Sequence, residues 1–277
     1  MKKEFQILRQ VLMILILSVC LNNIAHCQES DQDTVYTKII EFDQGCKLVL
    51  DSNINLTDSV SIKIIEGISS ILPRIQKLIP ADSVTINLAI STTDIIPVWG
   101  MSGRTTGDDS GETVELYFDP NHPNFKIEYM LRSFVHEMHH VGRIRNPDFE
   151  LTLLECMVNE GLAIHFTAEV LNCKPTSLSL ALTEEQIQQY MIRIKPYLRV
   201  KFESWTAEFE EEYYIPWMFG RDGDEPVPKW TGYSIGWRIV DNYLKEHPEE
   251  RPSSLVWTPA EIIVSSTPLL VVDNENK

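Results

Sequence analysis

Ser133-Phe134-Val135-His136-Glu137-Met138-His139-His140-Val141-Gly142 is the stretch from which the rest of the chain can be read. On a helix, residues four apart are separated by about 40° around the axis and about 6 Å along it. His136 and His140 therefore share a face and can both reach one tetrahedral zinc ion. Glu137 lies about 100° round from His136, beside such a metal and not pointing at it. A carboxylate placed there can take a proton from an activated water.

Apolar residues at Ile127, Met130, Leu131, Phe134, Met138 and Val141 recur at the spacing of one helical face, so residues 125–141 are predicted to be a helix. Asn121 or Asn124 is suited to cap its start, Gly142 to end it, and Asn146-Pro147 to block continuation. Three histidines in five residues leave other registers open, since His136 and His139 also share a face at i and i+3. Only the His136/His140 pairing places a Glu directly after the first ligand at the motif's spacing. His139 is then a neighbour, directed to solvent or into the surroundings of the metal. The pair Glu137/His140 has the Glu-x-x-His form of di-iron bundles, but those need a second copy and two further carboxylates, and the chain has no second copy.

A catalytic zinc needs a third protein ligand. Asn146-Pro147-Asp148 has the form of a helix start, with Asn as cap and Pro at the first helical position. The helix predicted from there to about Leu171 carries Glu150, Glu155, Glu160 and Glu169, with Leu151, Leu154, Met157, Val158, Leu162 and Phe166 as core candidates. Glu160 stands next to Gly161, where another backbone could approach closely. Spacing alone does not choose between Glu155 and Glu160, and in a tight antiparallel hairpin Glu155 would lie nearer the level of His140.

A resemblance makes that choice. Asn159-Glu160-Gly161-Leu162-Ala163, with its Glu twenty residues after His140, resembles the second motif of the gluzincin metallopeptidases, whose Glu is the third zinc ligand. Residues 131–166 as a whole resemble a bacterial family of predicted zinc-dependent proteases. Trp217-Met218-Phe219-Gly220 and Trp230-Thr231-Gly232-Tyr233-Ser234-Ile235-Gly236-Trp237-Arg238-Ile239-Val240 are similar to its second block. The likeness extends over about residues 86–267. It implies a Zn2+ cofactor held by His136, His140 and Glu160, with Glu137 as general base, and a peptide or protein substrate.

The first 27 residues read as a signal peptide. Lys2, Lys3 and Arg9 form a basic start, residues 11–21 are an apolar run too short to span a bilayer, and Ala25-His26-Cys27 has the form of a cleavage site. Lipidation at Cys20 or Cys27 is the rival reading; both lack the small residue usually found just before a modified Cys, which favours an exported chain without a lipid anchor. Of the other cysteines, Cys156 and Cys173 would be about 25 Å apart on one helix, too far for a disulfide. Buried free thiols are expected at Cys46, Cys156 and Cys173.

Removing residues 1–27 takes away three bases and one acid, which carries the 24 Lys+Arg and 40 Asp+Glu to 21 and 39 and the net charge from −16 to −18. Bulk attraction to nucleic acid or to acidic lipid is therefore not expected. Residues 28–277 show neither a repeat nor a long linker and read as a single domain. Residues 58–79 are predicted as a helix capped by Asp58 and kinked or broken near Pro73. Residues 83–90 and 113–118 read as strands, residues 100–111 as a glycine-rich loop, and the chain after Leu171 as mainly helical. The expected class is α+β, gluzincin-like, with a small N-terminal mixed sheet and active-site helix followed by a mainly helical C-terminal part. A strand before that helix would suit pairing with an extended peptide. Tyr233, with Arg143 as runner-up, is the candidate donor for charge developing on a substrate oxygen. The alternative from another class is an exported binding or scaffold protein that keeps the fold without the chemistry.

Overall fold

The computed structural model describes residues 36–108, 111–146, 150–175, 180–203, 206–223 and 226–271. The signal segment at 1–27 and the Pro147-Asp148 pair lie outside the described residues. The chain forms two compact units, Met1–Arg145 and Asn146–Lys277.

The first unit contains β1 (Tyr36–Glu41), β2 (Lys47–Asp51), α1 (Ser59–Leu78), β3 (Thr85–Ile90), β4 (Met101–Asp108), β5 (Gly111–Phe118) and α2 (Ile127–Ile144). Its five strands run in the order β1-β2-β3-β5-β4. The three inner strands are parallel, and β1 and β4 close the sheet with antiparallel edges. Leu48, Leu50, Ile86, Leu88, Val114, Leu116 and Phe118 alternate along the inner strands and are all fully buried, the period-two pattern of one covered face. On α1, Ile64, Ile68, Leu72 and Ile75 are equally buried, a stripe at three- and four-residue spacing. Asp58 caps this helix by accepting from the N–H groups of Val60 (3.1 Å) and Ser61 (2.9 Å). Those bonds hold its carboxyl below the usual carboxylate range.

The expected kink at Pro73 does not divide the helix, which runs from Ser59 to Leu78. An interior proline costs about 3 kcal/mol. Leu72 and Ile75 flank it, and burying each is worth about 1.5–3 kcal/mol, which offsets that cost.

Residues 101–108, read from sequence as loop, form β4. The strand pairs with β5 along its whole length, from Met101↔Phe118 to Asp108↔Gly111. The strand at 113–118 is therefore interior, and the sheet's edge beside α2 belongs to β4. The ends of α2 also differ from expectation. Lys126 is its N-cap residue without a side-chain capping bond, and the helix passes through Gly142 to Ile144. Asn124 instead donates to the Val98 carbonyl at 3.1 Å.

The second unit is helical: α3 (Leu153–Leu171), α4 (Glu184–Ile194), a π-helical turn at Phe209–Tyr214 leading into α5 (Ile215–Met218), α6 (Thr231–Glu246) and α7 (Ala260–Ile263). A mixed sheet with two helices in the first unit and a helical second unit make the protein α+β. Thr152, and not Asn146, caps α3, accepting from Glu155 N–H at 3.1 Å; the Asn146 amide donates to the Trp257 carbonyl. Phe209 and Tyr214 are buried in the π-turn. Cys46, Cys156 and Cys173 are free thiols, the first two buried. No helix among the described residues is long and apolar enough to cross a membrane.

Two glycines set the packing of this unit. A Cβ on Gly161 of α3 would lie 2.2 Å from the carbonyl oxygen of Gly236, and one on Gly236 of α6 would lie 1.9 Å from that of Met157. The two backbones cross in contact, as the position of Gly161 suggested. Gly236→Ala would stabilise an isolated helix by up to about 1 kcal/mol, but a methyl forced against a carbonyl costs about 1–3 kcal/mol or more. The expected outcome in chemical denaturation is a net loss of up to about 2 kcal/mol. Unchanged or increased stability would contradict the close crossing.

Candidate metal centre

Helix α2 packs on β4 and β5 and beside α1, and from Phe134 to Arg143 every residue but the half-buried His136 is buried. The Nε2 atoms of His136 and His140 lie 3.0 Å apart, with the rings nearly perpendicular at 88°. Two corners of a zinc tetrahedron, at Zn–N of 2.0–2.1 Å, are separated by about 3.3 Å. The two nitrogens thus converge on a spacing that fits a shared metal. The same approach suits an imidazole–imidazole hydrogen bond, whose direction depends on the tautomers.

Glu137 is turned toward the sheet. Thr105 Oγ1, on β4, lies 2.8 Å from Glu137 Oε2 and 2.9 Å from the Glu137 carbonyl oxygen, so one hydroxyl proton serves side chain and backbone. Gly103, two residues earlier on the same strand face, leaves the room. A Cβ there would stand 2.4 Å from Ser133 Oγ and 2.9 Å from Glu137 Cγ. Neither residue stands out in the sequence, where 100–111 reads as glycine-rich loop. A signal was present: Gly107-Asp108-Asp109-Ser110-Gly111 is a turn cluster flanked by Thr105-Thr106 and Thr113-Val114, the composition of a hairpin.

His139 is fully buried, so the solvent-facing alternative does not hold. Burial above all, then the neighbouring His140, Arg143 and His136, pushes its pKa well below the ordinary imidazole value, and it is neutral at physiological pH. Arg143 is also buried, at 1% exposure, and not a solvated side chain. Arg145, just beyond the helix, ties its end to the sheet through Glu112 and Asp82, both at 2.9 Å.

The second unit carries Glu150, Glu155, Glu160 and Glu169. Glu150 pairs with Lys201 at 2.7 Å. Glu155 accepts from the Ala260 N–H at 3.1 Å, and Glu169 from the Ser253 N–H and hydroxyl at 2.9 Å each. Glu160 is buried to 1% exposure. A carboxylate at that depth is stable as an anion only against a cation or strong donors. Cys156, one turn before it, is pushed well above the ordinary thiol pKa by burial first, then by Glu155 and Glu160; a thiol so placed resists becoming a thiolate ligand. Tyr233, on the first turn of α6, is buried against Phe219 and Trp230, with ring centroids at 5.9 and 5.5 Å, in keeping with a packing role.

A family model described as "Predicted Zn-dependent protease (DUF2268)" matches residues 76–265, well over half of the chain. The chain belongs to this family. Both stretches that resemble such proteases, 131–166 and 217–240, fall inside the matched span of this zinc-protease family. No curated protein sequence matches the chain. A crystal structure of an aminopeptidase N family protein from Idiomarina loihiensis is similar at 14% identity with a TM-score of 0.43, over 85% of this chain and 42% of that one. The chain thus spans less than half the length of that protein.

The partners of Glu155 generate a test. Glu155→Gln keeps an acceptor for the Ala260 N–H and is expected to cost under about 1 kcal/mol, whereas Glu155→Ala leaves that buried donor unsatisfied, at about 1–3 kcal/mol. Neither should alter zinc content, measured on protein purified without added metal. Loss of zinc in Glu155→Gln would point to Glu155 as a metal ligand.

Proposed function

We propose that this protein is a zinc-dependent peptidase in which His136, His140 and Glu160 hold the metal and Glu137 is the general base. The observation that carries the reading is the convergence of the two Nε2 atoms at 3.0 Å with Glu137 next in sequence and held on β4. Family membership supports it, as does the burial of Glu160. Two imidazoles and one carboxylate are a donor set known for catalytic zinc, which leaves a fourth position open.

When bound there, zinc would polarise a carbonyl oxygen and lower the pKa of a water molecule to about 7. Glu137 would take the proton from the attacking water and later deliver it to the leaving amine. Tyr233, with Arg143 as runner-up, is the candidate donor for charge developing on the substrate oxygen. Among the described residues β4 pairs with a strand on one side only. Its other edge offers main-chain groups to an extended peptide, which fits a peptide or protein substrate. The reading also takes residues 28–277 as one catalytic domain, exported after loss of the signal segment.

Glu137→Gln keeps shape and hydrogen-bonding capacity but removes the base. It is expected to retain fold and zinc while losing at least about a hundredfold in turnover, the scale of general-base catalysis, read as cleavage of a proteome-derived peptide library by mass spectrometry. Full activity in that variant would sink the mechanism.

A further inference from the structure

We infer that Thr105, with Gly103 beside it on β4, is the positioning element of the Glu137 carboxylate; the inference rests on the peptidase reading above. A general base must present one oxygen to the proton it takes, at about 2.6–3.2 Å. A glutamate side chain has three rotatable bonds and nothing on its own helix fixes the last of them.

Here the strand supplies the constraint. Thr105 is 2% exposed, and its Oγ1 stands 2.8 Å from Oε2. The two carboxylate oxygens are thereby made unequal: Oε2 accepts the hydroxyl proton, and Oε1 is left for the reaction. A buried threonine often satisfies itself on a nearby carbonyl, and Thr105 does reach the Glu137 carbonyl at 2.9 Å. That bond alone would leave the carboxylate free to rotate. It has the further effect of tying the hydroxyl to the same residue at two points, so side chain and helix are located together against the strand.

Gly103 contributes space. The position where its Cβ would sit is 2.9 Å from Glu137 Cγ and 3.3 Å from Oε1, so any larger residue would displace the carboxylate that Thr105 holds. The positioning strand is also the sheet edge available to an extended peptide. A substrate pairing with β4 would be aligned on the same backbone that aligns the base.

The test compares Thr105→Val, which keeps the branched shape without the donor, with Thr105→Ser, which keeps the donor. The readouts are kcat and KM on the fastest-cleaved peptide of the library, zinc content and thermal unfolding. Valine is expected to lower kcat by about tenfold or more, since small misplacements of catalytic groups cost up to about a hundredfold. KM should change less than about twofold, zinc content should equal the parent's, and serine should restore kcat to within about threefold. Thr105→Ala reads the same way if the valine variant does not fold. In a Glu137→Gln background Thr105→Val should have no further effect on residual turnover. Unchanged kcat in Thr105→Val, or an equal loss in the Glu137→Gln background, overturns the positioning role while leaving the peptidase reading intact. Loss of zinc in Thr105→Val overturns it as well, by assigning the hydroxyl to metal retention. Full activity of Glu137→Gln, or no cleavage of any library peptide by the parent, overturns the peptidase reading and this inference with it.

Discussion

The constraint on which the first unit depends is desolvation along α2. From Phe134 to Arg143 the helix is buried almost all round, yet it carries Glu137, His139, His140 and Arg143 inside and His136 at the margin. Buried polar groups are stable only when bonded, neutral or used. Each solution is visible. His139 sheds its charge, Glu137 meets the Thr105 hydroxyl, and His136 and His140 turn their Nε2 atoms to each other. A helix assembled for packing alone would carry apolar residues at these positions. The presence of polar groups there instead is what makes the site a candidate for chemistry.

The second unit is organised by the contact of two backbones. Gly161 and Gly236 let α3 and α6 cross without side chains between them, and Glu160 is the residue next to that crossing. Its depth follows from the approach, since a larger residue at either glycine would force the helices apart. The other acids on the same stretch hold a lysine, a helix start and a serine turn.

Much of the fold was legible in the sequence wherever burial imposed a period. The α1 stripe, the β3 alternation and the α2 face were read from apolar spacing, and Asp58 from its capping chemistry. The motif residues were legible because four-residue spacing on a helix has a direct geometric meaning. What was not legible has physical reasons. β4 is built of Gly103, Thr105, Thr106 and Gly107, too polar and too glycine-rich to show a buried face, because its inward side meets Glu137 and not an apolar core. Pro73 weakened the prediction for α1, since the burial of Leu72 and Ile75 cannot be weighed before the packing is known. The start of α3 was set by Thr152 bonding to Glu155, a local signal obscured by the stronger-looking Asn146-Pro147 pair. The burial of His139 and Arg143 depends on what covers the helix, which spacing alone does not report.

X-ray absorption at the zinc edge, on protein purified without added metal, tests the central claim most directly. The account predicts one zinc per chain with only nitrogen and oxygen neighbours at about 2.0–2.2 Å, two of them imidazole. Loss of one imidazole contribution is expected in His140→Ala, and loss of a carboxylate oxygen in Glu160→Ala. A sulfur neighbour at about 2.3 Å, or protein that neither retains nor reloads zinc, would contradict it.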